Sequence, residues 1–330
     1  MLSKEQQNIL DATKTGHNIV VDAVAGTGKT TLILEIAKEL GSQKILQITY
    51  NKSLKFEVRE KTKALSIDNL TIHTYHSLAV CYYSCTAHVD NEIKKIVIHK
   101  KEPNRQIPTF DMIVIDEAQD MTLLYYQLII KFIKDIGSPI QLLILGDYMQ
   151  GLYEFKGSDI RFLTLGELIW KEHPCLRTQQ FQKCTMKMSY RITNQMSHFV
   201  NNAMLGEPRM DACREDVPVQ YIRNSRFNLE RIVCAEINKL FSQGVKPNDI
   251  FILGPSVKGE RSNIRKLENM LVEKNIPCHV PMLENTDIDQ RVIDGKIVFS
   301  TFHCVKGRQR KYVFVVGFDN SYFKYYARNL

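Results

Sequence analysis

The sequence predicts an α/β fold in which mainly parallel sheets are covered by helices on both faces. Short apolar runs of strand length alternate with helical patterns along the chain. Several of these runs are apolar at every position, which is typical of parallel strands buried on both faces. The chain has 330 residues, more than one typical domain, so we expect two domains.

The predicted elements follow one another as strands and helices in turn. In the first half, strands are predicted at 18–22, 44–49, 69–73, 112–115 and 141–145. Helical patterns lie at 3–14, 32–40, 52–65, 75–83 and 123–136. In the second half, the predicted helices are 229–241 and 264–274, and the predicted strands are 249–253, 296–301 and 312–316.

The apolar pattern lapses at residues 174–187, and we interpret this stretch as a domain junction. We therefore predict one domain at 1–183 and a second at 184–330. A lysine-rich stretch makes a short insertion at about 81–110 in the first domain.

The composition is that of a globular protein inside the cell. Hydrophobic residues make up 44% and charged residues 24% of the chain. We find neither a signal peptide nor an apolar run of the roughly 20 residues that span a bilayer, so we expect an intracellular protein, cytoplasmic or nuclear, with no membrane partner. The eight cysteines form no C-x-x-C pair, which predicts reduced thiols. A zinc site is the alternative, but its candidate ligands match no standard spacing: His76, Cys81, Cys85 and His88.

The net charge of +8 is concentrated at the end of the chain. Residues 296–330 contain seven Lys or Arg, one Asp and nine Phe or Tyr. Basic charge interleaved with aromatic rings suits a polyanion with bases that can stack. A solvated basic face over an aromatic core explains the same pattern equally well.

The stretch AVAGTGKT at residues 23–30 lies between a predicted strand and a helix and has the pattern of a phosphate-binding loop. Glycine and small residues let backbone N–H groups point toward a phosphate, and the helix N-terminus favours negative charge. In such a loop, Lys29 reaches the β- and γ-phosphates and the Thr30 hydroxyl binds Mg²⁺. The alternative is a glycine-containing turn that leaves Lys29 exposed.

Further polar clusters follow predicted strands or open the second half of the chain. They are Asp116-Glu117, Gly146-Asp147 with Gln150, Tyr190-Arg191, and Thr301 with His303 and Lys306. Ligands of open parallel sheets bind beyond the carboxyl ends of the strands. An acid at such an end can bind Mg²⁺ while its neighbour deprotonates a water, and an arginine can stabilise phosphate charge.

Together these motifs resemble those of superfamily 1A helicases of the UvrD/Rep/PcrA type, from residue 2 to about residue 317. The resemblance implies two tandem RecA-like P-loop NTPase domains, with ATP and Mg²⁺ as cofactors. It also implies single-stranded DNA and duplex junctions as partners, whereas protein partners are not predicted.

The resemblance assigns the residues of the nucleotide site. Nucleotide binding falls to Gln6, Ala25, Gly26, Thr27, Gly28, Lys29, Thr30, Thr31 and Tyr190, and metal binding to Thr30 and Asp116. Catalysis falls to Lys29, Asp116, Glu117 as general base, Gln150 as γ-phosphate sensor and Arg191 on the γ-phosphate. Gln6 also fits a capping box with Ser3, which competes with adenine recognition, and we favour the adenine role.

The resemblance also assigns residues that contact DNA. They are Tyr50, Asn51, Thr74, His76, Tyr153, Phe155, Lys156, Thr301, His303 and Lys306. The rings of Tyr153 and Phe155 are expected to stack on bases.

Three features depart from the family pattern. Gln309 stands where the family has glutamate, the insertions that form subdomains 1B and 2B are very short, and the arginine motif expected after Gly317 is missing. We therefore expect an incomplete second domain and slow hydrolysis, unless Arg191 or a basic-tail residue such as Arg308 or Arg310 supplies the missing charge.

The sequence thus predicts an ATP-dependent DNA helicase that moves 3′→5′ on single-stranded DNA. Two alternatives stay open: a translocase without strand separation and a DNA-binding switch controlled by ATP.

Overall fold

The computed structural model describes residues 2–171, 173–223, 228–257, 263–281, 290–302 and 304–320. By compactness the chain divides into two units, Met1–Val219 and Gln220–Leu330. This division falls later than the predicted domain boundary after residue 183. That boundary stays a prediction.

A six-stranded parallel sheet forms the centre of the first unit. The strands of this unit are β1 (Asn18–Ala23), β2 (Ile45–Thr49), β3 (Leu70–Thr74), β4 (Met112–Ile115), β5 (Gln141–Gly146), β6 (Phe181–Met186), β7 (Met188–Ser189) and β8 (Asp211–Ala212). The sheet has the order β3-β2-β4-β5-β1-β6, and each of its pairs is parallel. The predicted α/β class is confirmed.

Helices connect these strands, as a parallel sheet requires. They are α1 (Lys4–Lys14), α2 (Lys29–Glu39), α3 (Lys52–Ala64), α4 (Tyr75–Tyr82), α5 (Asp90–Ile98), α6 (Leu123–Ile136), α7 (Arg161–Thr164), α8 (Gly166–Lys171) and α9 (Asn194–His198). The predicted insertion at 81–110 contains α5.

Alternate residues of the central strands pack on opposite faces of the sheet. In β4, Met112 and Val114 pack in a cluster with residues of α1 and α2, whereas Ile113 and Ile115 pack with residues of α4 and α6. All four side chains are fully buried. This burial on both faces explains why the strand is apolar at every position.

Residues 174–187, which the sequence analysis interprets as a junction, contain β6. This edge strand pairs with β1 along its whole length, from Asn18↔Phe181 to Ala23↔Met186. Gln182, Lys183 and Thr185 are exposed. An edge strand carries exposed polar side chains, so its apolar pattern is too weak to reveal it in sequence.

The second unit holds a smaller parallel sheet. Its strands are β9 (Ile250–Gly254), β10 (Cys278–His279), β11 (Ile297–Thr301) and β12 (Tyr312–Val315), in the order β10-β11-β9-β12. Its helices are α10 (Leu229–Ser242), α11 (Asn263–Val272) and α12 (Gln290–Ile293). Among the described residues of either unit, no helix is long and apolar enough to cross a bilayer.

A buried histidine in β3 makes the stability of the fold depend on pH. His73 is 9% exposed, and its Nδ1 lies 3.2 Å from the hydroxyl oxygen of Ser77. Burial, followed by the positive charges of Lys55 and Arg59, lowers the pKa of His73 to about 4. In the unfolded chain the pKa of this histidine is about 6.5. Between pH 6.5 and pH 4 the imidazole therefore binds a proton in the unfolded chain and not in the folded one, so stability falls as pH falls.

We expect His73→Gln to flatten the fall in the free energy of unfolding between pH 6.5 and pH 4.5. The slope of the free energy of unfolding against pH should differ between variant and wild type by no more than about 1.4 kcal/mol per pH unit, the value for uptake of one proton. Denaturant titrations at a series of pH values measure it, with the exposed His99→Gln as control. Equal slopes for His73→Gln and the wild-type chain would contradict the assignment.

Candidate active site

Residues 24–28, between β1 and α2, have the backbone shape of a phosphate-binding loop. Gly26 and Gly28 have φ angles of +80° and +83°, which glycine adopts without strain. The Thr27 hydroxyl donates to a carbonyl at the start of the loop at 3.0 Å. Helix α2 begins immediately afterwards, so residues 29–31 lie in its first turn, where an anion is stabilised.

Gln6 connects helix α1 to this loop. Its Oε1 accepts the backbone N–H of Ser3 at 2.9 Å, and Ser3 Oγ accepts the N–H of Gln6, which completes a capping box. Its Nε2 donates to the carbonyl oxygens of Thr27 at 3.0 Å and Gly28 at 3.4 Å. Gln6 therefore serves the capping box and contacts the loop at once, and its contact with adenine stays a prediction.

Lys29, the first residue of α2, lies among three carboxylates. Its Nζ is 3.6 Å from Oε1 of Glu117. Burial lowers the pKa of Lys29, but the charges of Glu117, Asp116 and Asp147 outweigh it, and the net pKa is raised. Lys29 is therefore a largely buried cation at the end of the loop, with a side chain 12% exposed, and not the exposed side chain of an ordinary turn.

Asp116 lies directly beyond the end of β4 and is 1% exposed. Burial and then the Glu117 carboxylate raise the pKa of Asp116 to about 7, against the opposing effects of Lys29 and of the Gln47 hydrogen bond. Gln47 Nε2 donates to Asp116 Oδ2 at 3.0 Å. Sequence analysis missed Gln47, a polar residue in the middle of an apolar strand.

The surroundings of Asp116 fit a divalent cation. Two adjacent carboxylates, one of them fully buried with a raised pKa, form an arrangement that a nearby cation would stabilise. Carboxylate and hydroxyl oxygens are also the hard donors that Mg²⁺ prefers. Asp116 and the Thr30 hydroxyl are the residues that would hold it.

Glu117 has a backbone conformation that is unusual for a residue other than glycine. Its φ and ψ are +56° and +46°, which costs about 1–3 kcal/mol and is often found at active sites. Gln119 Nε2 donates to the Glu117 carboxylate, and Gln119 Oε1 accepts the N–H of Asp147 at 3.1 Å. A Cβ at Gly146 would lie only 2.3 Å from Gln119 Oε1, so this link requires glycine there.

The cluster after β5 is joined to the same site through Asp147. This residue is 2% exposed, and its Oδ2 accepts the side-chain N–H of Gln150 at 2.8 Å. Its Oδ1 accepts from the guanidinium of Arg209 at 2.9 Å. Sequence analysis did not identify Arg209.

The segment that carries Tyr190 and Arg191 lies against the phosphate-binding loop. Ser189 Oγ donates to the carbonyl of Ala25 at 2.7 Å, and the Tyr190 N–H donates to the carbonyl of Gly26 at 2.9 Å. The side chain of Tyr190 is 46% exposed. The structure therefore brings both residues to the end of the sheet where this loop lies, within the first unit.

Aromatic residues assigned to DNA form a continuous group. Tyr50 follows β2 and stacks on Tyr153 with ring centroids 5.6 Å apart. Tyr153 packs edge-on against Phe155, which is 63% exposed, and Lys156 Nζ lies 5.0 Å from the Tyr153 ring centroid. Asn51, next to Tyr50, precedes α3.

Two further DNA candidates, Thr74 and His76, have contacts that fix local structure. The Thr74 hydroxyl caps α4 by accepting the N–H of Ser77. His76 Nε2 lies 3.0 Å from the carboxylate of Asp90, the first residue of α5. Among the described residues, no group of three or more His, Cys, Asp or Glu side chains is arranged to hold a metal ion. None of the eight cysteines forms a disulfide.

The remaining DNA candidates belong to the second unit. Thr301 is buried, and its hydroxyl lies 3.3 Å from Sγ of Cys304, whereas Lys306 is half-buried. His303 lies outside the described residues. Arg310 donates to backbone carbonyls that include those of Pro247 and Ile293, which stabilises this unit.

Comparison with known proteins gives one family match and several similar proteins. Residues 6–156 match a family described as AAA domain. The chain is 27% identical over 183 residues to the ATP-dependent DNA helicase UvrD1 of Mycobacterium bovis, a match that covers 52% of this chain and 22% of that protein. It is 35% identical over 79 residues to F-box DNA helicase 1 of Gallus gallus, covering 24% of this chain and 7% of that protein.

The chain therefore spans less than a quarter of the length of these relatives. Among solved structures, the Pif1 helicase from Candida albicans aligns with a TM-score of 0.38 at 17% identity, over 84% of this chain and 54% of that one. Structural similarity at this level does not identify a family, so a family resemblance rests on the motifs and the sequence matches. On these, the predicted resemblance to superfamily 1 DNA helicases is confirmed.

Proposed function

We propose that this chain is an ATP-dependent DNA helicase that moves along single-stranded DNA, in the 3′→5′ direction, using ATP hydrolysis. The observation that carries the proposal is the convergence at one sheet edge of Lys29, Asp116, Glu117 and Gln150. These residues come from α2 and from the ends of β4 and β5, which are neighbours in the sheet. The alternative is that these residues form an ion pair that only stabilises the fold. Such an ion pair would not need an amide, two acids and a phosphate-binding loop at one place.

The geometry supports a division of roles in phosphoryl transfer. Lys29 would bind the β- and γ-phosphates, and Glu117 would accept a proton from the water that attacks the γ-phosphorus. Mg²⁺ supplies charge neutralisation at the phosphates when it is bound. Arg191 would contact the γ-phosphate and Tyr190 the adenine, from the segment that lies on Gly26.

The aromatic group supports binding of single-stranded nucleic acid. Tyr50, Tyr153 and Phe155 offer stackable rings next to the positive charge of Lys156. Stacking is insensitive to base identity, so this group suits a protein that travels along a strand. Thr301, His303 and Lys306 are proposed to contact the DNA backbone.

A translocase without strand separation is the second candidate. The observation that favours it is the small size of the insertion between α4 and β4, where the structure describes a single helix, α5. Two substrates distinguish strand separation from translocation alone: a forked DNA duplex, and a single DNA strand that carries a bound protein. Displacement of the protein without separation of the duplex would favour the translocase.

We expect Lys29→Ala and Glu117→Gln to fail in different ways. Loss of Lys29 removes charged hydrogen bonds of about 1.5–3 kcal/mol, so nucleotide affinity should fall by roughly 10- to 100-fold. Glu117→Gln should keep the affinity and lose about 10²- to 10⁴-fold in the rate of single-turnover hydrolysis. Binding of a fluorescent ATP analogue and quenched-flow hydrolysis measure the two effects.

The matched control for Lys29 is Lys14→Ala, because Lys14 forms an exposed ion pair with Glu39 at 3.0 Å. It should leave affinity and rate unchanged. Equal loss of affinity in Lys29→Ala and Glu117→Gln would contradict the proposed roles.

We expect Phe155→Ala and Tyr153→Ala to weaken binding of single-stranded DNA. Each stacked base contributes about 1–3 kcal/mol, so the loss should be about fivefold or more and similar for oligo-dT, oligo-dA and mixed sequences. Anisotropy titrations at fixed salt measure it, with exposed Leu168→Ala as the apolar control. Unchanged affinity in both aromatic variants would remove this group from the DNA path.

We expect Gly26→Ala to destabilise the chain more than Gly16→Ala. Both glycines have φ near +80°, so both variants bear the same strain of about 1–2 kcal/mol. A Cβ at Gly26 would lie 2.5 Å from Cβ of Arg191 and 2.6 Å from Oγ of Ser189, whereas one at Gly16 meets nothing within 4 Å. The extra loss should be about 1–3 kcal/mol, measured by denaturant unfolding without nucleotide. Equal losses would mean that residues 189–191 do not rest on the loop.

A further inference from the structure

Arg209, just before β8, is a buried charge that belongs to none of the motifs. It is 7% exposed, and its two terminal nitrogens donate to the carboxylate of Asp22 at 2.6 and 2.7 Å. One of them also donates to Asp147 Oδ1 at 2.9 Å. The guanidinium lies 4.2 Å from the ring centroid of Tyr148. An arginine this buried requires such charged partners, because an unpaired charge would be costly.

These contacts bring Arg209 to the catalytic edge of the sheet. Asp22 lies near the end of β1 and Asp147 just beyond β5, and these two strands are adjacent. Asp147 accepts from Arg209 on one carboxylate oxygen and from the Gln150 amide on the other. The position of the Gln150 amide therefore depends on the carboxylate that Arg209 holds.

The backbone around Arg209 is fixed from the other side. Asn201, in a π-helical turn at Phe199–Leu205, accepts the N–H groups of Arg209 and Met210 at 3.0 and 3.1 Å. Asn201 Nδ2 donates to the carbonyl of Met210 at 2.8 Å. Such π-helical turns are frequent at functional sites.

The strand that follows Arg209 connects it to the Tyr190 segment. Strand β8 pairs with β7, so that Ala212 lies beside Ser189. Ser189 in turn donates to Ala25 in the phosphate-binding loop. The Arg209 side chain binds Asp147 after β5, and the strand that follows Arg209 pairs with the segment that contacts the phosphate-binding loop. Arg209 thus connects these two parts of the site.

We propose that Arg209 is a positioning residue that holds the Gln150 amide and the Ser189–Arg191 segment in fixed relation at the phosphate-binding loop. This inference rests on the proposed function for its catalytic consequence. Arginine is required because its planar fork makes three hydrogen bonds to two carboxylates at once, which the single ammonium of lysine cannot reproduce. If stability alone were selected, apolar residues of similar volume would serve as well.

The test compares Arg209→Met, Arg209→Lys and Arg161→Met with the wild-type chain. Arg161 pairs with Asp159 on the surface and is the matched control. In both Arg209 variants we expect kcat for ATP to fall by about 10- to 100-fold while affinity for a non-hydrolysable ATP analogue stays within roughly threefold. Arg209→Met combined with Gln150→Ala should lower kcat by less than the product of the two single effects, because part of the Arg209 effect acts through Gln150.

Amide hydrogen exchange gives a second readout that needs no activity. Exchange should rise locally in the Arg209 variants, at Gln150 and at Tyr190, whose N–H groups donate to Asp147 and Gly26. The central strand β4 should keep its protection. A role in global stability alone would raise exchange throughout the unit.

The inference is overturned if both Arg209 variants match Arg161→Met in kcat, if the double variant loses activity additively, or if exchange rises uniformly. If Arg209→Met does not fold, the Arg209→Lys variant alone tests the inference. A wild-type kcat in Arg209→Lys would show that the planar guanidinium is not required. Absence of ATP hydrolysis in the wild-type chain would refute the proposed function instead, and local exchange would still test the positioning.

Discussion

The cluster of Lys29 with Glu117, Asp116 and Asp147 is the interaction on which the rest of the site depends. One buried cation faces three carboxylates, so its charge is held and its pKa raised despite the cost of burial. Burial, followed by the neighbouring Glu117 carboxylate, raises the pKa of Asp116, and the carboxylates outnumber the cation. A site with this imbalance is suited to a divalent cation together with a polyanionic nucleotide.

The parallel sheet makes this cluster possible. Strands β4, β5 and β1 are neighbours and parallel, so the residues beyond their carboxyl ends lie close together at one edge of the sheet. Amides then fix the carboxylates: Gln47 holds Asp116, Gln119 joins Glu117 to the backbone of Asp147, and Gln150 contacts the Asp147 side chain. Activity is thus expected to depend on amides as well as on charges.

Much of this arrangement could be predicted from sequence because it is local. The phosphate-binding loop, Asp116-Glu117 and the apolar strands each occupy a few consecutive residues with a recognisable pattern. Strand β6 escaped prediction because three of its side chains, Gln182, Lys183 and Thr185, are exposed at the sheet edge. Arg209 reaches Asp22, 187 positions earlier in the chain, and nothing in the local sequence distinguishes it from a surface arginine. Gln6 shows a different limit, since its amide closes the capping box and also contacts the phosphate-binding loop, a contact that the sequence does not indicate.

We propose that this cluster is an ATPase site governed by single-stranded DNA, a proposal that steady-state ATP hydrolysis can test. ATP turnover by residues 1–330 is measured with Mg²⁺ as single-stranded DNA is added from zero to saturation. We expect hydrolysis that requires Mg²⁺ and whose rate rises to a plateau as DNA is added. No hydrolysis at any DNA concentration, or a rate that DNA does not change, would contradict it.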